Sequence, residues 1–273
     1  MKYDVVALSP DVGAEIRDMD PRSLDPEKSA VFRQAFADHH LVLIRNVDLS
    51  DDEGSVLTEL LGPVSFDSPV MKQGGDRKFS FIGNVHDEGK LRDGELYFHS
   101  DHTFFTHPLK AISLYALAVP SKGGETVFSN AAAAYRRLPE ELKQRIAGLK
   151  ARHIATYSAF EGDARPKFNP NGRDKVAIHP VVWAHPESGE KILFVSRLLT
   201  ESIVGLEPDE SEALLTELFE YIEDPAYHYV HHWRVGDYLV WDNRQLQHSR
   251  RDFDPKEKRA LRRVPIGEPA ASE

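Results

Sequence analysis

The chain has 273 residues, of which 41% are hydrophobic and 29% are charged, and its formal net charge is -10. A single all-β barrel or sandwich of this length can bury enough apolar surface to fold without crosslinks, so we expect one domain over residues 1–273. Cysteine is absent, which excludes disulfides, thiolate nucleophiles, iron–sulfur clusters and cysteine-ligated zinc. The acidic charge argues against general binding to nucleic acid or anionic lipid.

Targeting and membrane signals are not found in the sequence. The first ten residues contain too short an apolar run for a signal peptide. No stretch reaches the length of an uncharged transmembrane helix. We therefore predict a cytoplasmic protein with no membrane partner and no nucleic-acid partner.

Helices dominate the predicted elements near the N-terminus. Amphipathic spacing predicts a helix over Pro26–His40, and the apolar run Leu41–Ile44 predicts a short buried strand. Ser50 and Glu53 form a capping-box pattern that opens a second helix. This helix is expected to run to about Leu61, where a Gly-Pro pair ends it.

Short strands follow, separated by Gly, Pro and Asp. They are predicted at Lys78–Ile82, Leu96–Asp101, Ala111–Ala118, Glu125–Phe128, Val181–Ala184, Lys191–Ser196, Tyr229–Arg234, Tyr238–Trp241 and Arg259–Pro265. Ser188-Gly189 lies in a turn that joins two of them in a hairpin, and helices are predicted at Glu140–Lys150 and Pro208–Glu223. Many short strands with a few flanking helices indicate a mainly β, or α+β, fold with a double-sheet barrel of jelly-roll type.

One pair of polar residues in a predicted strand has the spacing of metal ligands. His99 and Asp101 are two apart, so their side chains project from the same face and can bind one ion. His248 is a candidate third ligand from the far end of the chain. Two histidines and one carboxylate leave open positions for O2 and a chelating co-substrate. Taken alone, His-x-Asp is common and more often marks an exposed strand end with a His–Asp hydrogen bond.

The residues after His248 favour a metal site that also binds an anion. Arg259 follows His248 by eleven positions, and Arg259 and Arg263 share one strand face while Arg262 points away. Arginine pairs with both oxygens of a carboxylate at once, so it suits a dicarboxylate ligand. Charge alone would instead favour a solvated basic stretch. The spacing after His248, together with the upstream His-x-Asp, favours the dicarboxylate site.

Two other histidine patterns compete with this assignment. His185 and Glu187 also read His-x-Glu, but the proline between them and the Ser-Gly that follows predict a turn. The segment from His228 to His232 contains three histidines, but no helical His-Glu-x-x-His spacing accompanies them. We interpret the first as a loop and the second as an ordinary strand.

Three segments together resemble the taurine dioxygenase (TauD/TfdA-like) family of Fe(II)/2-oxoglutarate dioxygenases. They are His99-Ser-Asp101-His-Thr-Phe, Pro120-Ser-Lys-Gly-Gly-Glu-Thr126 and Trp241-Asp-Asn-Arg244 with His248, Arg259 and Arg263 behind it. The resemblance implies a double-stranded β-helix, the cupin-like jelly roll. It also implies an oxidoreductase that uses Fe(II), 2-oxoglutarate and O2, and that oxidises a small-molecule substrate while releasing succinate and CO2.

The resemblance implies a role for each matching residue. His99, Asp101 and His248 would bind iron and form the catalytic centre. Thr126 and Arg259 would hold the C5 carboxylate of 2-oxoglutarate, and Arg263 would face the substrate's acidic group or the C1 carboxylate. Related halogenases lack the carboxylate ligand, so Asp101 favours hydroxylation, or desaturation or oxidative cleavage that begins in the same way.

The substrate is expected to be small and either acidic or amino-acid-like. Taurine-using members have Asn four residues before the first iron histidine, where this chain has Glu95, a residue that could pair with an amine or lie on the surface. A taurine, alkylsulfonate or phenoxyalkanoate substrate is the alternative. Candidate substrate-binding residues are His86, Glu95, Tyr97, Phe104, Arg197 and Arg263, with Tyr157 and Phe160 also considered. Core packing is the alternative for each aromatic residue.

Three further expectations complete the prediction. Asn243 and Arg244 are expected to stabilise the turn that aims His248. Homodimers and homotetramers are common among relatives, so either is expected here. One rival function is a zinc or manganese cupin-type hydrolase or isomerase, which would not require Arg259 and Thr126. A rival from another class is a non-catalytic metal-binding barrel, which would be expected to lack at least one of the three metal ligands.

Overall fold

A computed structural model describes residues 3–65, 78–86, 91, 94–155 and 175–267. The strands in these ranges are β1 (Asp4–Ala7), β2 (Ala14–Arg17), β3 (Leu41–Ile44), β4 (Ser80–Gly83), β5 (Leu96–His99), β6 (Ala111–Ala118), β7 (Thr126–Asn130), β8 (Lys150–Ala155), β9 (Lys175–Pro180), β10 (Val182–Ala184), β11 (Lys191–Leu193), β12 (Thr200–Ile203), β13 (Tyr229–His231), β14 (Tyr238–Asp242), β15 (Leu246–Arg250) and β16 (Ala260–Ile266). The helices are α1 (Pro26–His39), α2 (Asp51–Glu59), α3 (Ala131–Arg137), α4 (Glu140–Ile146) and α5 (Pro208–Ile222), with a 3-10 turn at Pro225–Tyr227.

The largest sheet contains seven strands in the order β1-β2-β3-β14-β6-β16-β4. Neighbouring strands are antiparallel except β2 and β3, which are parallel. At the centre β14 pairs with both β3 and β6, so Leu239 lies between Leu43 and Leu114. The central strands are buried on both faces, which is why they are nearly continuous apolar runs in the sequence.

Apolar clusters cover both faces of this seven-stranded sheet. On one face α1 and α2 contribute Phe32 and Leu57 to a cluster that also contains Val240. On the other face Trp241 packs edge-on against Phe128 of β7, with ring centroids 5.3 Å apart. The seven-stranded sheet therefore lies between a layer of helices and a second sheet.

That second sheet contains four strands in the order β13-β7-β15-β5. All of its pairings are antiparallel. Strand β15 lies between β7 and β5, so His248 is opposite both Phe128 and His99. Two sheets packed face to face match the predicted double-sheet architecture.

The first two helices begin and end where local sequence signals place them. Asp25 caps α1 by accepting a hydrogen bond from the Lys28 backbone N–H, with the oxygen and nitrogen 2.8 Å apart. His40 ends α1 in the left-handed conformation, with φ of 61°. Ser50 and Glu53 form the predicted capping box of α2. Both helix predictions are confirmed to within two residues.

A further layer is built around helix α5. Leu214, Leu218 and Ile222 line one side of this helix and join a cluster with Ile146 of α4 and Ala151 of β8. Strands β12, β8 and β9 form a three-stranded antiparallel sheet beside it, and β10 and β11 form the predicted hairpin. Within the described ranges no helix is long and apolar enough to cross a bilayer.

The structure differs from the sequence analysis at two places between residues 131 and 150. The predicted helix Glu140–Lys150 ends at Ile146, because Ala147 is extended and Gly148 has a left-handed φ of 79°. Lys150 instead begins β8. The chain also forms α3, which was not predicted, although Asn130 caps it by accepting from the backbone N–H groups of Ala132 and Ala133.

Candidate metal centre and its surroundings

The end of β5 and the middle of β15 bring together two histidines and an aspartate. His99 and His248 are directly opposite each other across the two strands, and their ring centroids are 4.3 Å apart. Asp101 follows β5, with Oδ1 3.2 Å from Nε2 of His99. One ligand atom from each residue lies within 4.8 Å of the others. Over the described ranges this is the only group of three such side chains that could hold a metal ion.

Hydrogen bonding and burial put these side chains in the states that bind a divalent metal. Nδ1 of His99 lies 2.8 Å from the Tyr97 carbonyl oxygen; donation there leaves Nε2 as the ligand atom. Burial, reinforced by His99, lowers the pKa of His248 to about 3. Burial alone would raise the pKa of Asp101, but the positive charge of Arg263 and the contact with His99 outweigh it and hold that pKa well below its usual value.

Asn243, in the turn between β14 and β15, fastens the loop that carries Asp101. Its Oδ1 accepts from the Asp101 backbone N–H at 2.8 Å. Its Nδ2 donates to the carbonyl oxygens of Asp101 at 2.9 Å and Leu109 at 3.0 Å. The neighbouring Arg244 pairs with Asp242 at 3.0 Å. Asn243 thus holds Asp101, rather than acting only on the turn before His248.

The buried guanidinium of Arg259 lies close to the segment Gly123–Thr126. Arg259 is 2% exposed, and its Nε donates to the Gly124 carbonyl oxygen at 3.3 Å. Its Nη1 has no hydrogen-bond partner, and no carboxylate of the described residues forms an ion pair with it. Burial and the nearby Arg250 lower the pKa of Arg259 to about 9. An anionic ligand would give Nη1 a hydrogen-bond partner and would raise the lowered pKa of Arg259.

Gly124 and Thr126 shape the space beside the Arg259 guanidinium. Gly124 has a left-handed φ of 70°, and a Cβ there would lie 3.2 Å from Nε of Arg259, so glycine allows the close approach. Thr126 Oγ1 accepts from Nε1 of Trp233 at 3.0 Å. Because this oxygen already accepts a hydrogen bond, the hydroxyl hydrogen of Thr126 is available to donate to an anion.

Arg262 and Arg263 point to opposite faces of β16, as the alternation predicts. Nη2 of Arg263 donates to Oδ2 of Asp101 at 2.6 Å, while its buried Nη1 has no partner. Arg262 instead reaches the α2 side, where it binds Asp51 and the Leu49 carbonyl oxygen. Arg263 therefore belongs to the metal centre and Arg262 to the packing of α2.

The structure brings some of the predicted substrate-binding residues together. Tyr97 is two residues before His99 on the same face of β5. Tyr97 and Phe104, which flank the ligand pair in the sequence, pack against Leu198 and Leu199 in one apolar cluster. Glu95 is exposed.

Other predicted substrate-binding residues are engaged elsewhere. Arg197 forms a bidentate ion pair with Glu223 on the C-terminal side of α5, with a shortest distance of 2.7 Å. His86 stacks on Phe81, with ring centroids 3.7 Å apart. Phe81 is opposite Arg262 in the β4–β16 register, so it lies on the face away from Arg263. Tyr157 and Phe160 lie outside the described residues.

The competing histidine patterns lie at a turn and in a strand, as interpreted from the sequence, and their side chains have partners within the fold. Nε2 of His185 lies 2.9 Å from Oδ2 of Asp242, and its Nδ1 accepts from two backbone N–H groups of the following turn. His231 lies 3.2 Å from Asp237 in a buried pair. His228 contacts the Ile222 carbonyl oxygen at 3.0 Å.

The sequence analysis did not single out Trp233 or Arg250. Trp233 reaches Thr126 from the segment after β13, and no local pattern signals that contact. Arg250 lies opposite Thr126 in the register of β15 and β7. It is two residues after His248, so strand alternation could have placed it on the same face.

Two imidazoles and a carboxylate, next to a buried guanidinium on a double-sheet fold, define the class of non-haem metal centre with open coordination positions. Comparison with known proteins agrees. The family model for taurine catabolism dioxygenase TauD, TfdA family, matches residues 4–264. The chain belongs to this family, and it is a jelly-roll, Fe(II)- and 2-oxoglutarate-dependent dioxygenase that uses O2.

Individual relatives extend over nearly the whole chain. A (S)-phenoxypropionate/alpha-ketoglutarate-dioxygenase from Sphingobium herbicidovorans is 30% identical, covering 98% of this chain and 96% of the relative. An alpha-ketoglutarate-dependent 2,4-dichlorophenoxyacetate dioxygenase from Burkholderia sp. is 32% identical, covering 94% and 86%. A taurine dioxygenase structure from Burkholderia xenovorans has a TM-score of 0.82 at 29% identity, covering 98% and 90%. The structure of AAD-2 in complex with Mn(II) and N-oxalylglycine also has a TM-score of 0.82, at 25% identity, and the match covers 99% of this chain and 100% of that structure.

Proposed function

We propose that His99, Asp101 and His248 bind Fe(II). The observation that carries this assignment is a partly buried triad whose ligand atoms lie within 4.8 Å of one another, with one carboxylate and two imidazoles as donors. Held by these three side chains, Fe(II) would supply the O2 chemistry that couples the oxidative decarboxylation of 2-oxoglutarate to oxidation of a C–H bond. The protein positions the reactants and excludes water.

The metal assignment is tested by equilibrium binding of Fe(II) without oxygen, or of Mn(II). His99→Ala and Asp101→Ala should each abolish measurable binding and turnover. His232→Ala is the matched control, because the His232 side chain is 72% exposed, and it should bind metal like the wild type. Full binding by both triad variants would contradict the assignment.

We propose that Thr126 and Arg259 hold the distal C5 carboxylate of 2-oxoglutarate. Arg259 offers a buried Nη1 without a partner, and Thr126 offers a hydroxyl hydrogen that is not used by Trp233. Together they can form charge-assisted hydrogen bonds to one carboxylate. Arg263 uses Nη2 to orient Asp101, and its Nη1 is assigned to the C1 carboxylate or to the acidic group of the substrate.

We propose a small carboxylic acid with an aromatic or apolar body as the prime substrate, of the aryloxyalkanoate type. The apolar cluster of Tyr97, Phe104, Leu198 and Leu199 would contact the apolar body of such a substrate. Nη1 of Arg263 would donate a hydrogen bond to its carboxylate. Two relatives bear the names of phenoxypropionate and dichlorophenoxyacetate dioxygenases. An amino-acid-like substrate, with its amine on Glu95, is the second candidate, since Glu95 is two residues before Tyr97 on the same side of the chain.

The reaction on such an ether balances without a further reactant. One oxygen atom of O2 enters succinate and the other enters the C–H bond next to the ether oxygen, while CO2 leaves. The resulting hemiacetal loses its aryloxy group as a phenol, and the remaining carbon becomes a keto acid. With 2-phenoxypropionate the expected products are therefore phenol, pyruvate, succinate and CO2.

A substrate panel tests this proposal. Succinate and the oxidised product should be measured with 2-phenoxypropionate, 2,4-dichlorophenoxyacetate, taurine and a set of α-amino acids. We expect stoichiometric phenol and succinate with at least one aryloxyalkanoate. Product from taurine or an amino acid alone would reject the aryloxyalkanoate class and leave the dioxygenase assignment in place.

Three broader expectations are part of the proposal. The chain 1–273 is proposed to be one domain, to act in the cytoplasm, and to assemble as a homodimer or homotetramer. Sedimentation of the purified protein measures the assembly, a single cooperative unfolding transition tests the domain organisation, and cell fractionation tests the compartment.

A further inference from the structure

Gly94, immediately before Glu95 and β5, is held by two residues that follow His248. Its backbone N–H donates to Oδ1 of Asp252 at 3.1 Å. Its carbonyl oxygen accepts from Arg250 through Nε at 3.1 Å and Nη2 at 2.6 Å. Nη1 of Arg250 also donates to the Leu91 carbonyl oxygen. Both polar groups of the Gly94 backbone are therefore bound by side chains of one segment.

The Arg250 side chain binds the residues that precede the N-terminal end of β5. It is 4% exposed, and each of its three guanidinium nitrogens donates to a carbonyl oxygen of Leu91 or Gly94. Charge-assisted bonds from a buried guanidinium to backbone carbonyls fix a segment more firmly than neutral ones. This geometry is that of a positioning residue, and it differs from Arg259, whose Nη1 has no partner.

The segment 250–253 also contacts the proposed anion site. The Arg251 backbone N–H donates to the Glu125 carbonyl oxygen at 3.0 Å, and the Gly124 N–H donates to that of Asp252 at 3.1 Å. The Phe253 ring lies 5.7 Å from the guanidinium carbon of Arg250 and 5.9 Å from that of Arg259. The segment 250–253 thus contacts both Gly94, just before β5, and the residues around the proposed 2-oxoglutarate site.

We propose that Arg250 and Asp252 form a clamp on Gly94 that positions two side chains assigned to the substrate, Glu95 just before β5 and Tyr97 within it. The clamp fixes the backbone one residue before Glu95 and three before Tyr97, so it sets where these side chains stand relative to the metal. Arg250 acts through Gly94, and neither metal nor 2-oxoglutarate needs to touch it. The functional consequence rests on the proposed function, because Tyr97 and Glu95 are assigned to the substrate there.

Hydrogen exchange of the Mn(II)-loaded full chain tests the clamp without turnover. Arg250→Gln removes its charge-assisted bonds, so amides 94–97 should exchange at least about tenfold faster than in the wild type. Asp252→Ala, at an exposed side chain, should act in the same direction. Arg250→Lys should recover part of the protection, because an ammonium lacks the planar fork of a guanidinium. Arg251→Gln is the matched control, being the adjacent exposed arginine, and should leave exchange unchanged.

Ligand measurements on the same variants separate positioning from anion binding. The Kd of 2-oxoglutarate should change by less than about threefold in Arg250→Gln, while the KM of the best panel substrate rises and that of 2-oxoglutarate does not. Unchanged exchange in both Arg250→Gln and Asp252→Ala overturns the clamp. A loss of 2-oxoglutarate affinity as large as in Arg259→Gln would make Arg250 an anion ligand instead. If the wild type fails to bind 2-oxoglutarate, the proposed function fails, and the exchange result still decides the clamp.

Discussion

At the scale of single residues, Arg259 shows how a ligand site costs stability. Its guanidinium is buried with an unpartnered Nη1, and burial lowers its pKa to about 9. Losing one partner of a buried charge pair costs about 2 to 5 kcal/mol. We therefore expect Arg259→Gln to raise the Kd of 2-oxoglutarate at least about 30-fold, measured by calorimetry on the Mn(II)-loaded protein.

The same substitution should leave the unliganded fold at least as stable as before, because it removes a buried charge that no carboxylate compensates within the described ranges. 2-Oxoglutarate should then raise Tm in the wild type and not in the variant. Lys258→Gln is the control, since it removes a positive charge at the adjacent exposed position. Equal 2-oxoglutarate affinity in Arg259→Gln and Lys258→Gln would contradict the anchor.

Spacing along the sequence predicts residues that share one strand or one motif. His99 with Asp101 and Arg259 with Arg263 were found from their spacing, although the predicted strand Leu96–Asp101 ends at His99 and Arg259 lies one residue before β16. Trp233 and the bond from Arg250 to Gly94 could not be found, since each joins segments that only the folded sheet brings together. Arg197 carried no local sign that Glu223 would bind it.

At the scale of elements, the turn between β14 and β15 holds the loop after β5. Asn243 donates two hydrogen bonds through Nδ2 and accepts one through Oδ1. Asn243→Asp replaces the donor with an acceptor facing two carbonyl oxygens, so it should displace Asp101. Outer partners of metal ligands typically contribute about 10- to 100-fold in metal affinity. We expect a loss of that size in Mn(II) binding by Asn243→Asp.

Asn243→Ala provides the comparison for that experiment. It removes all three hydrogen bonds of Asn243 but places no carboxylate against the two carbonyl oxygens, so its metal affinity should lie between those of the wild type and Asn243→Asp. Equal affinity in all three proteins would show that the turn does not position Asp101. The stability of both variants should fall as well, because the Leu109 carbonyl oxygen loses a buried donor.

Helices were more predictable than strands where their caps are local. The Ser50–Glu53 box and the Asp25-Pro26 start both appear in the structure. The predicted helix from Glu140 ran too far, because its apolar pattern continues past Gly148 into β8. Strand partners were beyond prediction from sequence, because β15 pairs with β5 and β7 across more than a hundred residues.

At the scale of the whole molecule, the metal centre depends on long-range sheet assembly. The ligands come from β5, the loop after it and β15, and the buried arginines come from the segment that leads into β16 and from β16 itself. None of these residues can form the site until both sheets have formed. Binding of metal and 2-oxoglutarate should therefore raise the free energy of unfolding of both sheets together, because the unfolded chain has no preformed site.

Buried histidines make the stability of the whole molecule sensitive to acid. Away from the metal centre, burial lowers the pKa of His40, His153, His179, His228 and His231 below 6.5. Each is therefore more often neutral in the folded chain than in the unfolded chain. Below pH 6.5 the unfolded chain binds more protons, so the free energy of unfolding falls as pH falls.

His153 isolates one part of this effect, because burial, reinforced by His179, lowers its pKa to about 3. Its contribution is fully present above pH 6.5 and is lost progressively as pH falls toward 3, at up to about 1.4 kcal/mol per pH unit. Urea unfolding of the metal-free protein between about pH 7.5 and 5 should show a shallower pH slope for His153→Gln than for the wild type. This range lies above the titration of the carboxylates. His232→Gln, at an exposed position, should keep the wild-type slope, and an equally steep slope in His153→Gln would mean that His153 is protonated in the folded chain.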